Sequence, residues 1–330
     1  MREKSPGMAA EPARRRYRQI VPTTAPRRVQ PYSYQHRSWR KPMIVLTVIF
    51  ALLGGAAYGG YRVYQHLQLM LIVPGCQAGS GDSAVSLDFD QAADAATIAD
   101  VAVYNHLPRQ ALTIAYATAL QESKLRNLSY GTSDSVGLFQ QRPSQGWGSA
   151  QELEDPVYAS QAFFETGPSA LTKIPDYATL SVSKAAQEVQ HSADGSAYEQ
   201  WAGEAALLSA DYTTTPHAVT CWYDPATQAA QQGASTQLNL RGAAQKLEGT
   251  FGSPRSDGVV TGVTLASSGK SEIFDVTRAG GWAVANWLVV NASSFGITHV
   301  AYAGYQWTAS LTETSWQRAP GTAARSIVAS

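Results

Sequence analysis

The stretch ALQESKLRNLSYGTSDSVGLFQQRPSQGWG, from Ala119 to Gly148, decides how the chain is interpreted. It begins at the end of a mostly apolar helix predicted over Arg109–Lys124, and it continues as a loop rich in Ser, Thr, Asn, Gly and Gln. Glu122 therefore has an apolar helix behind it and a polar loop in front of it. Because burial disfavours the charged form, we expect this carboxyl group to stay protonated near neutral pH. Glycoside cleavage requires such an acid to protonate the leaving oxygen.

The loop that follows Glu122 has the composition of a sugar-binding surface. Its polar side chains suit hydrogen bonds to sugar hydroxyl and acetamide groups, and the rings of Tyr130 and Trp147 offer flat apolar faces. Trp147 is equally well explained as a core residue. Asp134 is the nearest second carboxylate, and it is either a catalytic group or an Asx-type turn former beside Ser133 and Ser135.

Several motifs in this region resemble a known family. Gln121-Glu122-Ser123 followed by Gly137-Leu138-Phe139-Gln140 resembles the E-S…G-L-M-Q signature of the soluble lytic transglycosylases and goose-type lysozymes. The whole stretch, with Asp155-Pro156-Val157-Tyr158-Ala159 after it, is similar to a group of bacterial, single-pass, lysozyme-like proteins. Two later segments, at residues 185–192 and 197–198, fit the same group, and the resemblance covers about residues 43–320.

The resemblance implies a function and a set of site residues. It identifies Glu122 as the catalytic acid and base of an enzyme that cleaves the MurNAc–GlcNAc β-1,4 bond of peptidoglycan, with no cofactor and no metal. Where relatives have Gly-Asp, this chain has Gly131-Thr132, so a lytic transglycosylase, a hydrolase and a non-cleaving binding scaffold all remain open. The expected substrate-binding residues are Ser123, Tyr130, Asp134, Gln140, Gln141 and Trp147.

An uncharged run precedes this region and predicts a membrane anchor. Met43–Gly60 contains 18 residues without a charge, about 27 Å of helix, so we predict a transmembrane signal-anchor helix over residues 43–61. Residues 1–42 carry 11 Lys or Arg and 2 Asp or Glu, and they form a predicted disordered basic arm. This charge bias predicts a cytoplasmic arm and an extracytoplasmic remainder. A cleaved signal peptide and a twin-arginine export signal are the alternatives.

Charge and cysteine content exclude several classes of protein. Lys and Arg total 25, as do Asp and Glu, so a uniformly basic nucleic-acid binder is excluded. Two cysteines are too few for a disulfide-dense scaffold, a Cys-rich zinc site or an iron–sulfur cluster. Cys76 and Cys221 lie on the predicted oxidising side of the membrane, so we predict a disulfide between them. Two buried free thiols are the alternative.

These observations predict a mainly α protein with a lysozyme-like helical domain, a small C-terminal α+β domain and one transmembrane helix. Expected partners are peptidoglycan glycan strands, the membrane, and cytoplasmic or envelope proteins that contact the arm and the C-terminal domain; nucleic acid is not expected. The predicted segments after the transmembrane helix are a juxtamembrane extension and linker at 62–88, the lysozyme-like domain at 89–222, a linker at 223–237, the α+β domain at 238–320 and a tail at 321–330.

Overall fold

The computed structural model describes residues 40–70, 72–192, 195–231, 238–254, 256, 258–265 and 270–330. Residues 1–39 of the predicted disordered arm lie outside the described part of the chain. The chain divides into two units, residues 1–61 and residues 62–330, and each is treated by itself.

The first helix, α1, spans Arg40–Met70 and contains the predicted anchor. Its segment Pro42–Tyr64 is 23 residues long with a mean hydropathy of 2.0, and none of it is buried by protein. It is the one helix among the described residues that is long and apolar enough to cross a membrane. The helix continues nine residues beyond the predicted end at 61, so the first nine residues of the predicted juxtamembrane extension and linker are helical.

Residues 62–330 contain eleven further helices and nine strands among the described residues. The helices are α2 Phe89–Tyr104, α3 Arg109–Glu122, α4 Ala150–Leu153, α5 Pro156–Gln161, α6 Val182–Gln190, α7 Ser196–Glu199, α8 Ala202–Thr213, α9 Pro225–Gln231, α10 Leu240–Phe251, α11 Gly281–Val290 and α12 Ala292–Phe295. The strands are β1 Gly75–Ala78, β2 Val85–Leu87, β3 Val219–Trp222, β4 Val260–Leu265, β5 Glu272–Val276, β6 His299–Tyr302, β7 Tyr305–Thr308, β8 Gln317–Arg318 and β9 Ser326–Ala329.

Helices α2 and α3 form the centre of the helical region, and α3 confirms the helix predicted over Arg109–Lys124. Helix α2 begins with a capping box, in which the Asp88 side chain accepts from Gln91 N at 2.9 Å and the Gln91 side chain accepts from Asp88 N at 3.0 Å. The buried face of α2 is rich in alanine, and small side chains let the neighbouring helices approach closely. Helix α3 packs against α6 and α8, and it ends at Glu122.

A three-stranded antiparallel sheet, in the order β2-β1-β3, corrects the prediction of a linker over residues 62–88. Cys76 on β1 lies opposite Cys221 on β3 in the register of the sheet, and the two form the predicted disulfide. The segment 77–84 is rich in Gly and Ser, which is typical of a linker, so its local sequence did not indicate a strand. The helical region therefore includes a small sheet, and it is not all-α.

The C-terminal region contains a six-stranded antiparallel sheet in the order β4-β5-β9-β6-β7-β8. Strand β9, at Ser326–Ala329, pairs with both β5 and β6. The prediction of a tail over residues 321–330 is therefore wrong. A four-residue strand at a chain end is too short to show a period of its own, and it is stabilised by two partners distant in sequence.

The helical and C-terminal regions were predicted as separate domains, yet residues 62–330 form one compact unit. Side chains of the C-terminal region donate hydrogen bonds to the third strand: Trp307 Nε1 to Cys221 O at 2.9 Å and Trp316 Nε1 to Val219 O at 2.8 Å. Helix α11 packs on α2 and β3, and its Trp287 is fully buried. The predicted linker at 223–237 contains α9, and residues 232–237 lie outside the described part.

Helix α2 carries a buried carboxyl group whose titration predicts a pH dependence of stability. Asp100 is 1% exposed, and neither carboxyl oxygen has a hydrogen-bond partner among the described residues. Burial raises the pKa of Asp100 well above its ordinary value of 3.8. The folded state therefore keeps a proton that the unfolded state releases as the pH rises. We expect Asp100 to lower the free energy of unfolding by about 1.4 kcal/mol per pH unit between its unfolded and folded pKa values.

The variant Asp100→Asn tests this expectation because Asn has a similar shape and does not titrate. The free energy of unfolding, measured in urea at pH 5 and pH 8, should fall more with pH for the wild type than for the variant. Equal pH dependence in the two proteins would show that Asp100 does not hold its proton in the folded state.

Candidate functional site

A cleft of about 410 Å³ lies at the C-terminal end of α3. Its walls come from α3, the 131–147 loop, the end of α6 and α7. The lining residues are Glu122, Thr132, Ser135, Gln140, Gln141, Arg142, Gln145, Trp147, Gln190, His191, Ser192 and Tyr198. The lining is mostly polar, as the composition of the 119–148 stretch predicts.

Glu122 is the last residue of α3, and its half-buried side chain faces the cleft. The Tyr198 hydroxyl donates a hydrogen bond to Glu122 Oε1 at 2.7 Å. Burial raises the pKa of Glu122 above its ordinary value of 4.5, while hydrogen bonds from Tyr198 and Gln190 and the charge of Lys124 oppose that rise. Glu122 is the only carboxylate among the described lining residues, and the direction of its pKa shift favours the protonated form.

Tyr198 and Gln190 complete the surroundings of Glu122, and neither was among the predicted site residues. Tyr198 on α7 is 2% exposed, and Ser192 also hydrogen-bonds its side chain. Gln190, the last residue of α6, donates from Nε2 to Phe139 O at 2.6 Å. The segments that contain both residues were part of the resemblance, and that was the only signal in the sequence that pointed to them.

Ser123 lies outside the cleft lining, although it was predicted to bind substrate. Its side chain is buried, and Oγ donates to Leu138 O at 2.7 Å and accepts from Arg126 N at 3.2 Å. These bonds connect the end of α3 to the 137–140 turn. Ser123 therefore connects two segments that border the cleft, and its own hydroxyl does not reach the cleft.

The segment 137–141 places two side chains in the core and the next two at the cleft. Leu138 and Phe139 are fully buried, with the Phe139 ring stacked on Phe163 at a centroid distance of 4.4 Å. Gln140 lines the cleft, and its Nε2 donates to Tyr130 O at 3.2 Å. Gln141 is 2% exposed and donates from Nε2 to Ala159 O at 3.3 Å. The two buried side chains thus hold both glutamines at the cleft.

Tyr130 and Trp147, the two aromatic residues predicted to bind sugar, lie in different surroundings. The Trp147 ring packs against Gly167, and the residue is 5% exposed while it lines the cleft. Trp147 is therefore largely buried and also borders the cleft, and its predicted contact with sugar stays a prediction. Tyr130 is 70% exposed and lies outside the lining.

Asp134 lies outside the lining and is occupied by hydrogen bonds within its loop. Arg142 Nε donates to Asp134 Oδ1 at 2.8 Å, and Ser144 N donates to Oδ2 at 2.7 Å. These bonds hold the pKa of Asp134 well below its ordinary value, with Arg142 as the largest cause. Asp134 therefore organises its loop through Arg142 and Ser144 and not through a local Asx-type turn, and no second carboxylate lies beside Glu122 in the described lining.

Substitution of Gly137 is expected to destabilise the fold strongly and to disturb the cleft. Its φ is +78°, and a Cβ at this position would lie 2.1 Å from the backbone oxygen of Leu153. Because the backbone cannot rotate away as a side chain can, Gly137→Ala should lower the free energy of unfolding by about 2–5 kcal/mol. It should also displace Gln140 from the cleft lining.

Gly146→Ala is the matched control for this substitution. Gly146 has a φ of +81°, and a Cβ there would meet nothing within 4 Å. This variant should cost about 1–2 kcal/mol through its backbone conformation alone. The comparison is made by unfolding in denaturant, and equal losses would show that the contact with Leu153 O has no energetic weight.

Comparisons with known proteins do not assign the site. No protein-family model matches the chain, and no curated protein matches it. Among the described residues, no group of three or more His, Cys, Asp or Glu side chains is arranged to hold a metal ion.

Proposed function

We propose that this protein is a peptidoglycan-cleaving enzyme of the lytic transglycosylase type, with Glu122 as its acid and base. The observation that carries the proposal is a half-buried glutamic acid with a raised pKa, alone among the described carboxylates in a polar cleft. The resemblance of the 119–148 stretch supports the same conclusion. The cleft lining supports it as well, because it is rich in amide and hydroxyl groups and includes the aromatic side chain of Trp147.

The chemistry needs only one carboxyl group. Protonated Glu122 donates its proton to the glycosidic oxygen, and the bond from that oxygen to C1 of the MurNAc ring breaks. The acetamide of the same sugar stabilises the positive charge at C1. Ionised Glu122 then accepts the proton of the C6 hydroxyl on the same MurNAc ring. The oxygen of that hydroxyl bonds to C1, which yields a 1,6-anhydromuramoyl end. An inverting hydrolase would need a second carboxylate to activate water.

The hydrogen bonds to Glu122 suit both halves of this cycle. Burial favours the protonated acid in the first step. The donors Tyr198 and Gln190 stabilise the carboxylate that forms, so the same group is available as the base in the second step. We assign Tyr198 and Gln190 as positioning residues because they act on the substrate through Glu122.

The location of the enzyme is also part of the proposal. We infer that α1 anchors it as a single-pass membrane protein with the N-terminal arm in the cytoplasm and residues 62–330 outside. We further infer that the helical region around α3, α6, α7 and α8 is lysozyme-like. An anchor of this kind would confine cleavage to the wall next to the membrane, which suits local remodelling.

The test is a digest of purified peptidoglycan by the full chain in detergent, analysed by mass spectrometry. Fragments with 1,6-anhydro ends are the expected products. Reducing ends would replace the proposal with a hydrolase that uses a water-activating group elsewhere. Glycan that is retained without being cut would select the binding scaffold, an alternative that the single carboxylate also permits.

A further inference from the structure

A second and larger cleft, of about 830 Å³, lies between α2, the start of α5 and α10. We call it the α2–α10 cleft and define it by Asp94, Tyr104, Glu154, Tyr158, Lys246 and Thr250. It shares no lining residue with the cleft of Glu122, and the proposed cleavage reaction does not use it. Its volume is within the range of small-ligand sites.

Asp94 is the buried charged group of this cleft. The residue is 9% exposed, and its Oδ2 accepts a hydrogen bond from Asn127 N at 3.2 Å. Its Oδ1 accepts no hydrogen bond within the described part of the chain. Burial raises the pKa of Asp94 to about 7, and the Asn127 bond and the charge of Lys246 oppose that rise. Asp94 lines the cleft, and a carboxylate in such largely buried surroundings gains stability from a cationic partner.

Lys246 on α10 lies in the same cleft, close enough for its charge to act on Asp94. The two form no ion pair with each other in the structure, so a space separates their charges. Tyr104 and Tyr158 line the cleft as well, and aromatic rings attract ammonium groups. A ligand with one cationic and one anionic end would therefore meet a partner at each end.

We propose that the α2–α10 cleft binds a peptide segment with a free ammonium group, held by Asp94, and a free carboxylate, held by Lys246. A bare metal ion does not fit the described residues, which include no cluster of three suitable ligands. The inference goes beyond the proposed cleavage of glycan and does not rest on it. The source is either a peptide attached to the wall or a free peptide, because both have the same chemistry.

The test is isothermal titration calorimetry of the full chain in detergent with Nα-acetyl-Lys-Ala, which has one ammonium group and one carboxylate. Saturable binding is expected, and it should weaken at least about tenfold for the Nε-acetylated peptide and for the C-terminal amide. Equal binding of the blocked peptides, or no binding up to on the order of 10 mM, would overturn the proposal. A wall fragment that has the same dipeptide and binds more tightly would identify the wall as the source.

Two variants assign the contacts. Asp94→Asn and Lys246→Gln should each weaken binding at least about tenfold, and Lys184→Gln, an exposed lysine on α6, should not change it. Circular dichroism checks that the Asp94→Asn variant is folded. If that variant is not folded, the Lys246→Gln variant provides the test, because Lys246 is exposed and its replacement disturbs no core packing. Unchanged affinity in both folded variants would exclude this site. Glycan cleavage is measured separately, so either proposal can fail while the other holds.

Discussion

The Glu122→Gln variant is expected to release soluble fragments from peptidoglycan on the order of 10²–10⁴ times more slowly than the wild type. Gln has nearly the same shape, and its amide oxygen can still accept the 2.7 Å hydrogen bond from Tyr198. Its amide N–H protons are not acidic enough to be transferred to the glycosidic oxygen, so the first step loses its acid. The rate is measured as muropeptide release per unit time from purified peptidoglycan.

The same substitution should increase the thermal stability of the protein. Because burial raises the pKa of Glu122 above 4.5, ionisation is less favourable in the folded state than in the unfolded state. The wild type therefore loses stability as the pH rises from 4.5 through the folded pKa, and the variant avoids this loss. The Tm of Glu122→Gln should exceed that of the wild type at pH 8, with a smaller difference at pH 4.

Glu204→Gln provides the matched control. Glu204 is also a half-buried glutamic acid whose pKa burial raises, and it lies outside the cleft lining. Its replacement should leave cleavage unchanged while it removes the same kind of buried charge. Full activity in Glu122→Gln would contradict the assignment of the acid, and equal loss in both variants would indicate a general effect on the fold.

The sequence was most informative where structure is local. The period of apolar residues predicted α3, and the run of uncharged residues predicted the apolar helix α1. The position of Glu122 at a helix end beside a polar loop was also visible. Each of these features depends on neighbours within about two turns of helix or on the composition of one segment.

Contacts between distant segments account for what the sequence did not reveal. Tyr198 reaches Glu122 across 76 positions, and no local pattern marks a tyrosine on a four-residue helix as the partner of an acid. Strand β1 has only four residues, and it is a strand because β2 and β3 pair with it. The exclusion of Asp134 from the cleft likewise depends on where Arg142 and Ser144 place their donors.

Removal of the disulfide is the second change with a large expected effect, this time on stability. Cys76 and Cys221 are separated by 145 positions and are fully buried. In the loop-closure description, a cross-link of this length restricts the unfolded chain by about 5 kcal/mol, which is an upper value. We expect the double variant Cys76→Ala and Cys221→Ala to lose about 2–5 kcal/mol of unfolding free energy in urea. Alanine leaves no unpaired polar group in the core.

The single variants separate the cross-link from the packing of the two side chains. Either substitution alone removes the whole cross-link, so the second adds only the loss of one buried sulfur. The double variant should therefore be less destabilised than the sum of the two single variants, and a reducing agent should destabilise the wild type but neither variant. Strictly additive losses, with a wild type insensitive to reduction, would instead describe two independent buried thiols.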